Sequence, residues 1–374
     1  MARDTEAPPP AAGAGVGVGP AVEAGAAARP AEPARTLIDV GGTVLEGAGR
    51  SDIESRLAAA TFFWLDLPCL GDEEMTWLRD VFHFHPLAVE DAEHFNQRPK
   101  LDEYDGYVYL VLYGSGTSVS TGALDAMASG TPACTPDELE RLSEVHCFVS
   151  DHYLVTVHRS DCPAFRDLAA RMRARVIPGE NPSRLFYRVA DTLVESFFPV
   201  LSELDDRIDI LQAQIMQRPT NEQLAQLLQF KSSLINVRRV ISPQRDLFAG
   251  LSSGVTTLPG FDDDSQRYFR DVYDHLIRLA DLVDSYRDLL SGTTDAYLSV
   301  VSNQLNQVMK QLTIIATVFL PLSFLTGFFG QNFAWMVNHI GSWEAFVVVG
   351  LGTELFAVVA LMSLFFRRGW LGSR

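Results

Sequence analysis

Leu312-Thr313-Ile314-Ile315-Ala316-Thr317-Val318-Phe319-Leu320-Pro321-Leu322-Ser323-Phe324-Leu325-Thr326-Gly327-Phe328-Phe329 runs for eighteen residues without a charge. A helix needs about 20 apolar residues to cross ~30 Å of hydrocarbon. Ala345 to Phe366 is a second such run, charged only at Glu354. A short loop, Gln331 to Glu344, separates the two. The pair reads as a transmembrane hairpin, with spans over about 312–329 and 345–366. A buried hairpin in a soluble core is the alternative, and the lengths disfavour it. Lys310 precedes the first span, Arg367-Arg368 follow the second, and the loop between holds no Lys or Arg. Basic flanks stay inside, so both chain ends are expected in the cytoplasm and the loop outside, in a plasma (inner) membrane.

Working back from the first span, no convincing helix breaker occurs between Arg267 and Pro321. A helix over about 265–328 would be on the order of 95 Å long at 1.5 Å per residue. Asp262-Asp263-Asp264 suit its N-terminus, where carboxylates oppose the helix dipole. Ser183 to Gln217 and Asn221 to Phe248 carry helical apolar spacing, broken at Arg218-Pro219-Thr220. Further back, Thr61 to Leu67 and Tyr107 to Tyr113 read as buried strands. Val145 to Val149 with Tyr153 to His158 reads as a hairpin. Asp72 to Val81 and Pro86 to Glu93 read as helices, and 114–136 as a long loop rich in Gly, Ser and Thr. The fold class is thus an α/β cytosolic domain, long stalk helices, and a C-terminal two-helix membrane hairpin. The expected divisions are a disordered Ala/Pro/Gly-rich tail over 1–35, the α/β domain over 36–180, and stalk helices over 181–264. A long pore helix over 265–330, an outer loop over 331–344, span two over 345–366 and a basic tail over 367–374 follow.

The formal net charge of −17 leaves no basic surface for nucleic acid. No Walker loop, nucleophile elbow, His-Glu-x-x-His or nucleotide fingerprint is present, so neither an enzyme nor an ATP-driven pump is indicated, and no nucleotide partner is expected. Cys69, Cys134, Cys147 and Cys162 form no CxxC, which fits reduced thiols rather than a disulfide framework or a structural zinc site. His83-x-His85-Pro86 lacks further ligands and reads as structural, and His339 as an ordinary loop residue.

Two helices cannot enclose an aqueous path, so conduction would require several copies around one axis. Asn306, Met309, Leu312 or Thr313, Ala316, Leu320 and Ser323 recur at three- and four-residue steps and share one face of the first span. That mixture of small, polar and apolar groups suits a pore. It also suits helix–helix packing, and spacing alone leaves both readings open. Beyond the span, Gly330-Gln331-Asn332 can turn the chain at a membrane mouth. Repeated around an axis, Asn332 amide oxygens would accept hydrogen bonds from the waters that Mg2+ surrenders reluctantly.

With these residues in place, the chain resembles the CorA family of magnesium and cobalt transporters. Three segments carry the likeness. They are His85-Pro86-Leu87-Ala88-Val89-Glu90-Asp91 with Asn96-Gln97-Arg98-Pro99-Lys100, Tyr268 to His275, and Ser302 to Thr317 running into Pro321-Leu322-Ser323-Phe324. The likeness covers roughly residue 36 to the end. It implies a funnel-shaped homopentamer with the first span lining the pore. By the same resemblance, Gly330, Gln331 and Asn332 form the selectivity filter, Asn306 lies at the inner pore, and Met309 with Leu312 make an apolar constriction. Regulatory Mg2+ would sit between subunits, with Glu90 and Asp91 on one side and Asp271 on the other. The family hallmark is Gly-Met-Asn, and Gln331 replaces its methionine. That departure leaves the ranking among Mg2+, Co2+, Ni2+ and Zn2+ open, with proton-coupled zinc transport as the second reading. A membrane-anchored sensor or scaffold is a third. Glu354 is expected to be neutral and hydrogen-bonded to a neighbouring helix near Thr353.

Overall fold

The computed structural model describes residues 35–39, 43–116, 142–159, 162–174, 181–331, 334–339 and 342–370. The expected N-terminal tail, Cys134, most of the 114–136 loop and Asn332 lie outside the described residues.

The α/β domain is a seven-stranded sheet in the order β2-β1-β3-β7-β6-β5-β4. Its strands are β1 (Thr36–Asp39), β2 (Val44–Glu46), β3 (Phe63–Pro68), β4 (Lys100–Tyr104), β5 (Tyr107–Ser115), β6 (Leu142–Val149) and β7 (Tyr153–His158). All neighbours run antiparallel except β3 and β7. Every residue of β5 is buried, because both faces of the sheet are covered there. Trp64 Nε1 donates to Thr156 Oγ1 at 2.9 Å, which ties the parallel pair at its centre.

Helices α1 (Arg50–Ala58), α2 (Asp72–Thr76), α3 (Pro86–Glu93) and α4 (Pro163–Ala174) complete this domain. The helix expected over 72–81 changes at Trp77 into a π turn, Trp77–Val81, which keeps Trp77 and Leu78 inside the core. Sequence spacing did not indicate β1, β2, β4, α1 or α4. The β4 segment Lys-Leu-Asp-Glu-Tyr is too charged to announce itself, as suits a strand on the sheet edge. α1 buries only Ile53, too little to establish a helical period.

The stalk comprises α5 (Pro182–Glu195), α6 (Phe197–Gln217), α7 (Asn221–Ser253) and α8 (Asp263–Phe329). The single helix expected over 183–217 is two helices, joined at Ser196. Ser196 Oγ donates to the Leu193 carbonyl at 2.5 Å and accepts from the Ser115 backbone N–H at 2.8 Å. The end of β5 therefore presses on the junction and fixes the turn. Thr220 and Gln223 form a reciprocal capping box at the start of α7. Gly254 ends that helix at φ +73°, a conformation that costs glycine little. Asp262 caps α8 by accepting from the Ser265 N–H at 2.7 Å, in line with the acidic start seen in the sequence. Phe186, Phe248 and Phe269 cluster with centroids 6.1 to 6.4 Å apart and bind α5, α7 and α8 into one bundle.

α8 has 67 residues, about 100 Å at 1.5 Å per residue. Its buried positions end at Tyr297, and it continues unsupported into the apolar run. Pro321 lies inside it without ending it. After α9 (Ala334–His339), α10 (Trp343–Arg367) returns along it, with a π turn over Phe346–Leu351. The apolar windows of α8 and α10 are 0% buried. A core helix of a soluble protein would be covered by its own chain, so these exposed apolar windows fit a lipid environment better.

Candidate functional site

The membrane half of α8 shows two faces. Ile314, Thr317, Val318, Pro321, Leu322, Leu325 and Phe329 are partly covered, and α8 contacts α10. Asn306, Met309, Leu312, Thr313, Ala316, Leu320 and Ser323 are all exposed. At about 100° per residue, this second set lies on the opposite side of the helix from the first. The expected pore residues thus share one face that no described part of the same chain covers. Hydroxyls along the span are satisfied by their own helix: Thr313 Oγ1 donates to the Met309 carbonyl at 2.8 Å, and Thr317 Oγ1 to the Thr313 carbonyl at 2.7 Å. Gly330 and Gln331 follow at the helix end, both exposed. Glu354 is half-buried on α10. Beside it, the Thr353 hydroxyl donates to the Val349 carbonyl at 2.6 Å, one turn back on its own helix.

Some distance along α8, in the stalk, Asp271 and His275 stand one turn apart and face α5. Asp271 Oδ2 accepts from the Tyr187 hydroxyl at 3.2 Å. Carboxylate oxygens of Asp191 and Glu195 and a ring nitrogen of His275 lie within 4.8 Å of one another. Asp191 Oδ1 and His275 Nδ1 are 3.4 Å apart, shielded from solvent, and neither makes a hydrogen bond. Burial and the Glu195 carboxylate push Asp191 up to about 6, against the pull of His275. A cation would relieve both the repulsion and the orphaned donor atoms. One ion holding part of its water shell is large enough to reach all three side chains. The set therefore fits a divalent metal.

Glu90 and Asp91 sit on α3, whose start is capped by His85 and Pro86. The His85 ring accepts from the Leu87 N–H at 3.2 Å, which gives that histidine the structural role expected of it. Glu90 is exposed and Asp91 half-buried. Asp91 Oδ2 accepts from Lys100 Nζ at 2.7 Å, and Asp102 Oδ2 accepts from the same nitrogen at 2.7 Å. Burial works against the Lys100 charge, but the hydrogen bonds it donates to Asp102 and Asp91 outweigh it and hold the ammonium above its ordinary range.

The loop between α3 and β4 is held by the buried Glu144. It accepts from the Asn96 N–H at 2.6 Å and the Gln97 N–H at 2.9 Å, with His146 Nε2 3.2 Å away. Burial favours its neutral form, yet His146 and the two backbone donors win and keep it below the usual carboxylate range. Glu144→Ala should strand both N–H groups and cost about 1–3 kcal/mol, measured as a fall in thermal or denaturant stability.

Residues 59–368 match the family model described as CorA-like Mg2+ transporter protein. The chain belongs to that family. Among its relatives, the cobalt/magnesium transport protein CorA of Thermotoga maritima is 30% identical over 85% of this chain and 86% of its own length. The zinc transport protein ZntB of Yersinia enterocolitica is 23% identical over 72% of this chain and 76% of its own. In fold, the complete CorA magnesium transporter structure from Methanocaldococcus jannaschii matches with a TM-score of 0.72 at 18% identity, covering 90% of this chain and 98% of that one. This CorA-family chain is accordingly a divalent metal transporter with two apolar C-terminal helices suited to a membrane.

Of the family-derived residues, the pore set lies together on one face. Within one chain, no hydrogen bond or ion pair joins Glu90 or Asp91 to Asp271 among the described residues. Sequence reading named Asp271 as a candidate, but not its neighbours Tyr187, Asp191, Glu195 and His275. A signal existed: Tyr187, Asp191 and Glu195 repeat every four residues on a helix, as do Asp271 and His275. Which helix they face was not readable, because a polar stripe on one helix looks like solvated surface until a partner is known.

Proposed function

We propose that copies of this chain assemble around an axis, as a pentamer by resemblance to the family, and form a Mg2+ channel with α8 lining the path. The observation that carries the reading is the uncovered α8 face of Asn306, Met309, Leu312, Thr313, Ala316, Leu320 and Ser323, opposite the face packed on α10. Lipid would favour large apolar groups there throughout, whereas a water-filled path accepts Asn, Thr and Ser. Gly330, Gln331 and Asn332 form the outer filter, and Met309 with Leu312 form an apolar gate that closes by excluding water. Lys310 and Arg367-Arg368 keep both termini cytoplasmic, and inward flow follows the membrane potential.

In the same reading, Glu90 and Asp91 of one copy and Asp271 of its neighbour form a regulatory site. Asp191, Glu195 and His275 supply a further set of metal ligands beside Asp271. Bound Mg2+ neutralises carboxylates that otherwise repel, and so favours the closed assembly. Zinc is the second reading. The likeness to ZntB, the departure at Gln331 and the imidazole nitrogen beside two carboxylates favour it. Co2+ and Ni2+ are further candidate cargo.

Uptake into proteoliposomes separates the two readings. Mg2+ influx driven by an inside-negative potential and indifferent to a pH gradient is expected. Zinc influx that needs the proton gradient, without Mg2+ influx, reverses the assignment.

A further inference from the structure

Asp91 does not wait for a cation with its carboxylate free. Lys100 Nζ sits 2.7 Å from one of its oxygens and 2.7 Å from Asp102 Oδ2. The lysine is placed by strand register: β4 pairs with β5, Lys100 opposite Val111. Its ammonium also lies 5.3 Å from the centre of the Tyr109 ring, a favourable place for a cation. The surrounding groove, about 830 Å³, is lined by Leu87, Leu101, Glu103, Tyr104 and Thr256 besides these three charged groups. Two carboxylates, Asp91 and Asp102, therefore share one ammonium within it.

We propose that Lys100 is a built-in competitor for the regulatory cation at Asp91, and sets the concentration at which the sensor responds. The inference rests on the reading of Asp91 as a regulatory ligand. A metal reaching Asp91 must displace or share its oxygen with an ammonium already hydrogen-bonded to it. The displaced ammonium is not left unpaired, because Asp102 retains it. Exchange is thus cheap enough to occur and costly enough to lower affinity. Divalent-cation sites are tuned over many decades by the net charge of their ligands, and an internal ammonium removes one negative charge from this one. The result is a sensor that ignores trace cation and answers only abundant cation.

The test is a Mg2+ titration of the full chain in lipid nanodiscs, read as protection from chymotrypsin and as calorimetric Mg2+ binding. Lys100→Met should lower the half-point roughly two- to fivefold, the effect of removing one partly exposed ion-pair partner. Lys100→Gln, which keeps a donor for Asp102, should lower it as well. Lys100→Arg keeps the charge and should stay within about twofold. In an Asp91→Asn background, Lys100→Met should have no further effect. If Asp91→Asn moves the half-point but Lys100→Met and Lys100→Gln do not, the inference is wrong while the sensor reading stands. An equal fall in the Asp91→Asn background overturns it too, since Lys100 would then act through the general field. An Asp91→Asn protein that responds like the unsubstituted chain removes the sensor reading and this inference with it.

Discussion

Proteoliposomes carrying Asn332→Ala are expected to lose selective Mg2+ uptake while the protein still assembles and inserts. The filter reading assigns the amide oxygens to the hydration shell of the arriving ion. Each hydrogen bond contributes about 0.5–1.5 kcal/mol, and one substitution removes it from every copy around the axis at once. A loss of a few kcal/mol corresponds to an uptake deficit on the order of a hundredfold. Methyl groups in place of amides also repel a strongly hydrated cation. Asn332→Asp should restore acceptors and draw cations more strongly, with reduced discrimination between Mg2+ and other divalent ions. A scaffold or anchored sensor has no use for the amide. Unchanged uptake by the alanine variant would therefore end the channel reading, whatever the state of the regulatory residues.

The second large effect concerns closure. Asp271→Ala should raise the Mg2+ concentration that halts influx by roughly tenfold or more, since a charge-assisted ligand is worth about 1.5–3 kcal/mol. The residue suits this role for a reason visible in one chain. It is exposed on α8, held by the Tyr187 hydroxyl, and lies close enough to Asp191 to raise that carboxyl's proton affinity. Its loss removes a ligand and relaxes Asp191 together. Influx recorded against stepped internal Mg2+ provides the measurement. A variant inhibited at the same concentration as the unsubstituted protein shows that Asp271 does not sense the ion.

These two residues also show how legibility divided. Asn332 was singled out by position, since Gly330-Gln331-Asn332 stands directly after an uncharged run and before another, and its filter role came from the family resemblance. Asp271 was singled out through the segment Tyr268 to His275, and its physical setting came only with α5 packed against α8. Asp191, Glu195 and His275 escaped notice because they are 84 residues apart at the extremes and meet only in the folded bundle. Ser196 escaped for a similar reason. Helical spacing runs straight through it, and the turn exists because the end of β5 donates a backbone hydrogen bond to its hydroxyl. Lys100 entered the sequence reading only as the end of the segment Asn96 to Lys100, and pairing of β4 with β5 is what aims it between Asp91 and Asp102.

What the sequence determined alone was everything governed by local period and by solvent. Uncharged length marked the two apolar helices, an unbroken helical run foretold α8, and short apolar runs marked the centre of the sheet. These signals are local because a residue's partition between water and an apolar phase depends on its own side chain and its near neighbours. What only the tertiary structure decided was which polar groups face one another: the Asp191–Glu195–His275 cluster, the Lys100 bridge, and the side of α8 turned away from α10. Charged pairs act over a few ångströms between elements distant in the chain, so their meaning is set by packing geometry that no single window of sequence contains.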